Sequence, residues 1–274
     1  MKVLPLFLAA GVLSPWASQA VLLYGLTSSN GLIRFDSATP GAVTTIGSIS
    51  QPGIVDIDFY PVNGVLYGST SSGSLYRIST TNGAATLAAS PSIAISGLTD
   101  IDFNPSADRL RIFAAGDQNY RMAPDVFTSN ATAPGTTILD GTFSDTLVTL
   151  VGSAYSNNFD GVNAALTSLY SIDSVSNDLY LHSVGPQFNT ITSLGDLGFD
   201  VGLNVGFDID QSGSAYVTND QSLYALNLAN GATSLIGTVA GTGLVSIAAV
   251  AVPETSTASV LLLTGLLALR RRRA

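Results

Sequence analysis

Two short stretches place paired carboxylates at a two-residue spacing, Asp56-Ile57-Asp58-Phe59 and Asp100-Ile101-Asp102-Phe103, and a blurred third copy follows at Gly206-Phe207-Asp208-Ile209. Residues i and i+2 of a strand point to one face, so Asp56 points with Asp58 and Asp100 with Asp102. Carboxylates gathered in this way must bind a cation, hold protons or pair with arginine. An all-oxygen donor set favours Ca2+ over zinc or copper, which makes Asp56, Asp58, Asp100, Asp102 and Asp208 the candidate cation ligands. The simpler role, capping neighbouring loops or staying hydrated in a wet channel, is favoured over a specific metal site. A pair of carboxylates also serves glycoside hydrolysis, one as acid and one as nucleophile or base. Asp56 with Asp100 is the candidate pair for that reaction. Against it stand a body without Glu and a chain with one Trp, Trp16.

Arg109, Arg111 and Arg121 fall within one sequence unit. Arg109 and Arg111 share a face of one strand, and Arg121 belongs to the next. They could form an anion-binding fork, but an ion-pair network with Asp100, Asp102, Asp108 or Asp125 is favoured in so acidic a chain. His182 is the only histidine, and alternation in Leu179-Tyr180-Leu181-His182 turns it away from Leu181, toward solvent. One His, no Cys and no Gly-x-Ser-x-Gly elbow exclude a serine or cysteine triad and a histidine-based zinc site.

The elements that must position these residues are short strands. After Asp56-Ile57-Asp58-Phe59 come Asn63-Gly64, Leu66-Tyr67-Gly68, Ser72-Gly73, Leu75-Tyr76-Arg77-Ile78 and Asn82-Gly83. Apolar runs of three to six residues divided by Asn-Gly or Ser-Gly predict an antiparallel four-stranded meander. The Leu-Tyr pairs beginning at Leu23, Leu66, Leu75, Leu169, Leu179 and Leu223 read as packing between such sheets. Equivalent opening positions are Asp56, Asp100, Gly152, Gly206 and Ser246, spaced by 44, 52, 54 and 40 residues. Those periods predict an all-β fold, a single β-propeller of about five four-stranded blades, with six as the alternative count. The first unit lacks an opening strand, and Leu244 to Val250 is an apolar run with no successor. Pairing of these N- and C-terminal strands would complete the first blade and remove an open edge. The opening strands would then line the central channel.

The ends carry an address. Lys2, the apolar run Val3 to Leu13 and the small residues Ser18-Gln19-Ala20 predict a signal peptide over residues 1–20. The repeat domain spans 21–252 and contains five Arg, no Lys, 18 Asp and no Glu, a net −13. Such a surface repels nucleic acid and attracts divalent cations. Most of the aspartates read as turn caps. A tail over 253–274 follows: Val252, Pro253 and Glu254 lead into 15 uncharged residues from Thr255 to Leu269, closed by Arg270, Arg271, Arg272 and Arg273. As a helix that run is about 22 Å long, short of the ~30 Å hydrocarbon core. The tail resembles the PEP-CTERM sorting signal of Gram-negative bacteria, with Thr255 where the motif usually has its second proline. The resemblance implies an exosortase-type processing enzyme as partner, transient anchoring in the inner membrane through this helix alone, and delivery to the cell surface or extracellular matrix.

Asp102-Phe103-Asn104-Pro105, Asp108-Arg109-Leu110-Arg111, Gln118-Asn119-Tyr120-Arg121 with Pro124-Asp125, and Ala154-Tyr155-Ser156-Asn157-Asn158 occur in that order. They resemble the recurring motifs of the bacterial family called domain of unknown function 4394, over nearly all of residues 22–240. The resemblance implies an exported, propeller-like repeat domain and brings no catalytic residues with it. The reading is a non-catalytic binding or structural propeller for an extracellular glycan or protein; the alternative is a carbohydrate-active enzyme using channel aspartates.

Overall fold

The computed structural model describes residues 20–125, 132–158, 164–185, 187–241 and 243–250. Both predicted terminal signals, with Val252, Pro253, Glu254 and Arg270 to Arg273, lie outside them. Among the described residues, twenty strands form five four-stranded antiparallel sheets. Blade 2 holds β4 (Ile54–Tyr60), β5 (Val65–Thr70), β6 (Leu75–Ile78) and β7 (Ala85–Ala89), and blade 3 holds β8 (Leu98–Asn104), β9 (Arg109–Ala114), β10 (Gln118–Met122) and β11 (Thr137–Thr142). Blade 4 holds β12 (Leu150–Tyr155), β13 (Leu169–Asp173), β14 (Asp178–His182) and β15 (Ile191–Asp196), and blade 5 holds β16 (Val205–Ile209), β17 (Ala215–Asn219), β18 (Ser222–Leu226) and β19 (Thr233–Thr238). Blade 1 is built from both ends, in the order β20 (Leu244–Ala249), β1 (Leu22–Thr27), β2 (Gly31–Asp36) and β3 (Thr44–Ser48). The fold is a five-bladed propeller, and the predicted closure is present: Leu23 pairs with Ala249 and Leu26 with Ser246. Every described strand and the closure lie within residues 22–249, so these residues complete the ring.

Turn chemistry explains why the meanders fold locally. The turn between the second and third strand of each blade contains a residue at positive φ: Asn30, Gly73, Asp117, Asn177 and Asp220. These types tolerate the left-handed region that a tight hairpin demands. The core is distributed between blades. Tyr60, Tyr67 and Phe103 meet between blades 2 and 3, with Tyr60 stacked on Phe103 at 4.5 Å. Phe113, Phe143, Tyr155 and Phe188 meet between blades 3 and 4. Because a neighbouring blade covers each face of a sheet, inner strands are buried on both faces, whereas the outermost strands β3 and β19 are largely exposed. Leu23, Leu66, Leu75, Leu169, Leu179 and Leu223 are all buried in these seams.

That architecture corrects one expectation. His182 is 3% exposed, not solvent-facing, because both faces of β14 are covered. Its ring stacks on Phe113 and meets Phe143 edge-on, each at 5.5 Å. Nδ1–H donates to Phe188 O at 2.7 Å and Nε2 accepts from Ser171 Oγ at 2.8 Å, which fixes the neutral tautomer.

Candidate functional site

The five inner strands adjoin one another around the axis in the order β4, β8, β12, β16, β20. Their equivalent positions form two layers. The first is Asp56, Asp100, Gly152, Gly206 and Ser246; the second is Asp58, Asp102, Ala154, Asp208 and Ala248. All five predicted aspartates are brought together here, each buried.

One pattern of hydrogen bonds relates the blades. A side chain on one inner strand accepts from the amide that follows the equivalent position on the next. Asp56 Oδ2 accepts from Ile101 N at 2.6 Å and Asp58 Oδ2 from Phe103 N at 2.8 Å. Asp102 Oδ1 accepts from Tyr155 N at 3.2 Å, Asp208 Oδ2 from Ala249 N at 2.6 Å, and Ser246 Oγ from Ile57 N at 3.1 Å. Asp100 varies the pattern by accepting from Ser153 Oγ. Ala154 has no acceptor to offer, and Asp208 Oδ1 takes the Ile209 amide itself at 2.6 Å. The carboxylates thus satisfy amides on the inward edge of the innermost strands, groups that burial would otherwise leave costly. Ser246 and Ser153 belong to this system; the repeat spacing marked the first only as an opening position, and no sequence signal marked the second.

Gathering acids in a dry axis raises their proton affinity. Burial pushes Asp56 up to about 6 and Asp208 up to about 7, against the hydrogen bonds each accepts. Asp58, Asp100 and Asp102 are held well above the usual carboxylate range, first by burial and then by a facing carboxylate: Asp208 for Asp58, Asp56 for Asp100, Asp58 for Asp102. In the second layer, Asp58, Asp102 and Asp208 each offer an oxygen within 4.8 Å of the others.

Two of the three arginines meet at one aspartate. Arg111 is 3% exposed and its Nη1 pairs with Asp140 Oδ2 at 2.7 Å. The same guanidinium donates to Asn119 Oδ1 at 2.7 Å and to Tyr155 OH at 3.1 Å, and lies 5.2 Å from the Phe188 ring centre. Arg121 Nε approaches Asp140 Oδ1 at 3.5 Å, while Arg109 donates to Asp108 O at 2.8 Å and Thr132 Oγ1 at 3.3 Å. Arg111 and Arg121 therefore both reach Asp140, an aspartate on β11 that no sequence motif singled out. Asp125 instead meets Arg77 at 2.6 Å and Tyr67 OH at 2.8 Å. Elsewhere, Asp36, Asp145, Asp173, Asp196 and Asp210 cap turns. A cleft of about 480 Å3 between blades 1 and 5, bordered by Ser37, Tyr216, Leu226 and Ile236, is lined by no acidic or basic side chain.

A family model described as a domain of unknown function, DUF4394, matches residues 31–251. No curated protein matches the sequence. Among solved structures, one of a nidogen/laminin complex has a TM-score of 0.52 at 15% identity, covering 85% of this chain and 98% of that one. A protein of unknown function from Bacteroides caccae has a TM-score of 0.49 at 10% identity, covering 85% and 99%. A protein from Bacteroides uniformis, provisionally assigned as a 6-phosphogluconolactonase, has 0.47 at 12%, covering 82% and 84%. At identities this low the likeness is one of fold alone.

Proposed function

We propose, for a chain that belongs to the DUF4394 domain-of-unknown-function family, the role of an exported, non-catalytic binding or structural propeller at the cell surface or in the extracellular matrix. The observation that supports it is the state of the channel acids: all five are buried, and each accepts a hydrogen bond that holds the ring together. Groups committed in this way have little reach toward an outside substrate. A rigid ring presenting variable loops is, by contrast, a suitable frame for recognition.

The loops offer a face. Ile93, Leu147 and Leu203 lie in connections leading into inner strands, and Val175 lies in the β13–β14 turn, which the antiparallel order places on the same side. All four are exposed, Leu147 at 81% and Leu203 at 76%. A neutral glycan or a protein with an apolar patch suits them, since the acidic body repels anionic polymers. Export rests on the charged-then-apolar N-terminus and the Arg-closed tail.

The test is a panel of extracellular polysaccharides and sugar lactones, scored separately for adsorption and for product release. We expect adsorption without turnover, weakened by Leu147→Asp with Leu203→Asp. Release of product by the wild type that is lost in Asp100→Asn would overturn the non-catalytic reading. Mass spectrometry of the protein recovered outside the cell tests the address: the expected chain begins at Val21, and retention of residues 1–20 contradicts it.

A further inference from the structure

We propose that Asp58, Asp102 and Asp208 form a buried Ca2+ site on the propeller axis that ties blades 2, 3 and 5 together. The site stands independently of the binding role proposed above, and either can fail without the other.

Geometry and an orphaned atom carry this inference together. Three carboxylate oxygens lie within 4.8 Å of one another, so an ion at their centre sits at most ~2.8 Å from each, a few tenths of an ångström from ordinary Ca–O lengths. Mg2+, with shorter bonds and strict octahedral demands, would need all three to draw much closer. Asp58 is 2% exposed, its Oδ2 is engaged by the Phe103 amide, and its Oδ1 has no hydrogen-bond partner. A buried carboxylate oxygen without a donor is costly and is a natural cation ligand.

The surroundings fit a cation. Amides of the next blade hold Asp58, Asp102 and Asp208 in place, the kind of outer support that fixes metal ligands. Ala154 and Ala248 fill the two remaining positions of the layer with methyl groups, which bring neither charge nor donor to it. The donors are all oxygen, as a hard cation prefers. The first layer differs, because it holds two carboxylates, Asp56 and Asp100, already answering Ile101 N and Ser153 Oγ, and Ser246 answers Ile57. The assignment is therefore to three of the five channel aspartates, those of the second layer.

The experiment uses residues 21–252, which contain the whole ring, stripped of metal and titrated with CaCl2 alone in a calorimeter, with metal content read after equilibrium dialysis. The expected result is one Ca2+ per chain, with a thermal midpoint raised by roughly 5–10 °C at a hundredfold excess over Kd. Asp58→Asn should abolish stoichiometric binding, whereas Asp200→Asn, an exposed control, should bind as the wild type does. If Asp58→Asn does not fold, the dialysis stoichiometry of the wild type decides. Absence of stoichiometric Ca2+ binding by the wild type overturns the site, as does preference for Mg2+ or undiminished binding by folded Asp58→Asn. A ring held by protons alone would give the first of those outcomes.

Discussion

Gly206 faces the amide nitrogen of Ile247 so closely that a Cβ placed on it would stand 2.5 Å away. Blade 5 presses its inner strand onto that of blade 1 there, and the obstacle is backbone, which cannot rotate aside.

Gly206→Ala should therefore cost roughly 2–3 kcal/mol, as overpacked sites do. Gly213→Ala, where nothing lies within 4 Å but φ is +83°, should cost about 1 kcal/mol from backbone strain alone. Urea unfolding of the two variants gives the comparison, and equal losses would show that the blades yield at Gly206.

Asn30 latches blade 1 to blade 2. Its Nδ2 donates to Ile49 O and Gln51 O, both at 3.0 Å, and its Oδ1 accepts from Ile54 N at 3.1 Å, with its own φ at 62°. Asn30→Gly retains the backbone and loses the bonds, for an expected loss of about 2 kcal/mol. Asn30→Ala should lose about 1 kcal/mol more, since alanine resists that φ. Urea midpoints in that order are the check.

The Arg111–Asp140 pair is buried on both sides, with side chains 3% and 2% exposed. Asp140→Asn should destabilise by about 3 kcal/mol or more, because it strands a buried guanidinium. Arg111→Met combined with Asp140→Leu should recover most of that. A double variant no better than the single one would show that the charges do more than offset each other.

His182 gives a pH dependence of definite sign. Burial, with the nearby Arg111 charge, lowers it to about 4 from 6.5, despite its hydrogen bond to Phe188 O. A depressed folded value means the contribution is complete above pH 6.5 and is lost as pH falls toward 4, up to roughly 3 kcal/mol. His182→Gln should reduce the loss of stability across that interval in urea titrations run at several pH values. An unchanged slope would assign the acid sensitivity to other groups.

The blades were legible because turn residues and apolar runs are local signals: Asn63-Gly64, Ser72-Gly73 and Asn82-Gly83 mark their turns in the sequence, and each glycine does take a positive φ. The closure was legible for a different reason, that Leu244 to Val250 had no other partner. The i, i+2 spacing placed Asp56 with Asp58 and Asp100 with Asp102, and the structure does gather them at the axis. It could not show that each reaches sideways to the next blade's amide, because that contact spans 45 residues for Asp56 and 53 for Asp102. Asp140 stayed hidden because its partners lie on β9 and β10, with nothing in Leu139-Asp140-Gly141 to announce an ion pair. His182 was misplaced because alternation separates core from solvent only where one face of a sheet is wet.

The first strand of the ring and its partner are separated by almost the whole chain. Synthesis runs from the N-terminus, so blades 2 to 5 can assemble from contiguous segments while β1 waits with an unsatisfied edge. The entropy of closing so long a loop grows only with the logarithm of its length, but the contact cannot form before Leu244–Ala249 exists. Any prematurely terminated product thus carries an open edge and a hole at the axis, the marks by which proteases and aggregation select. β20 acts as a completeness check: the molecule becomes durable only once its last strand has been delivered.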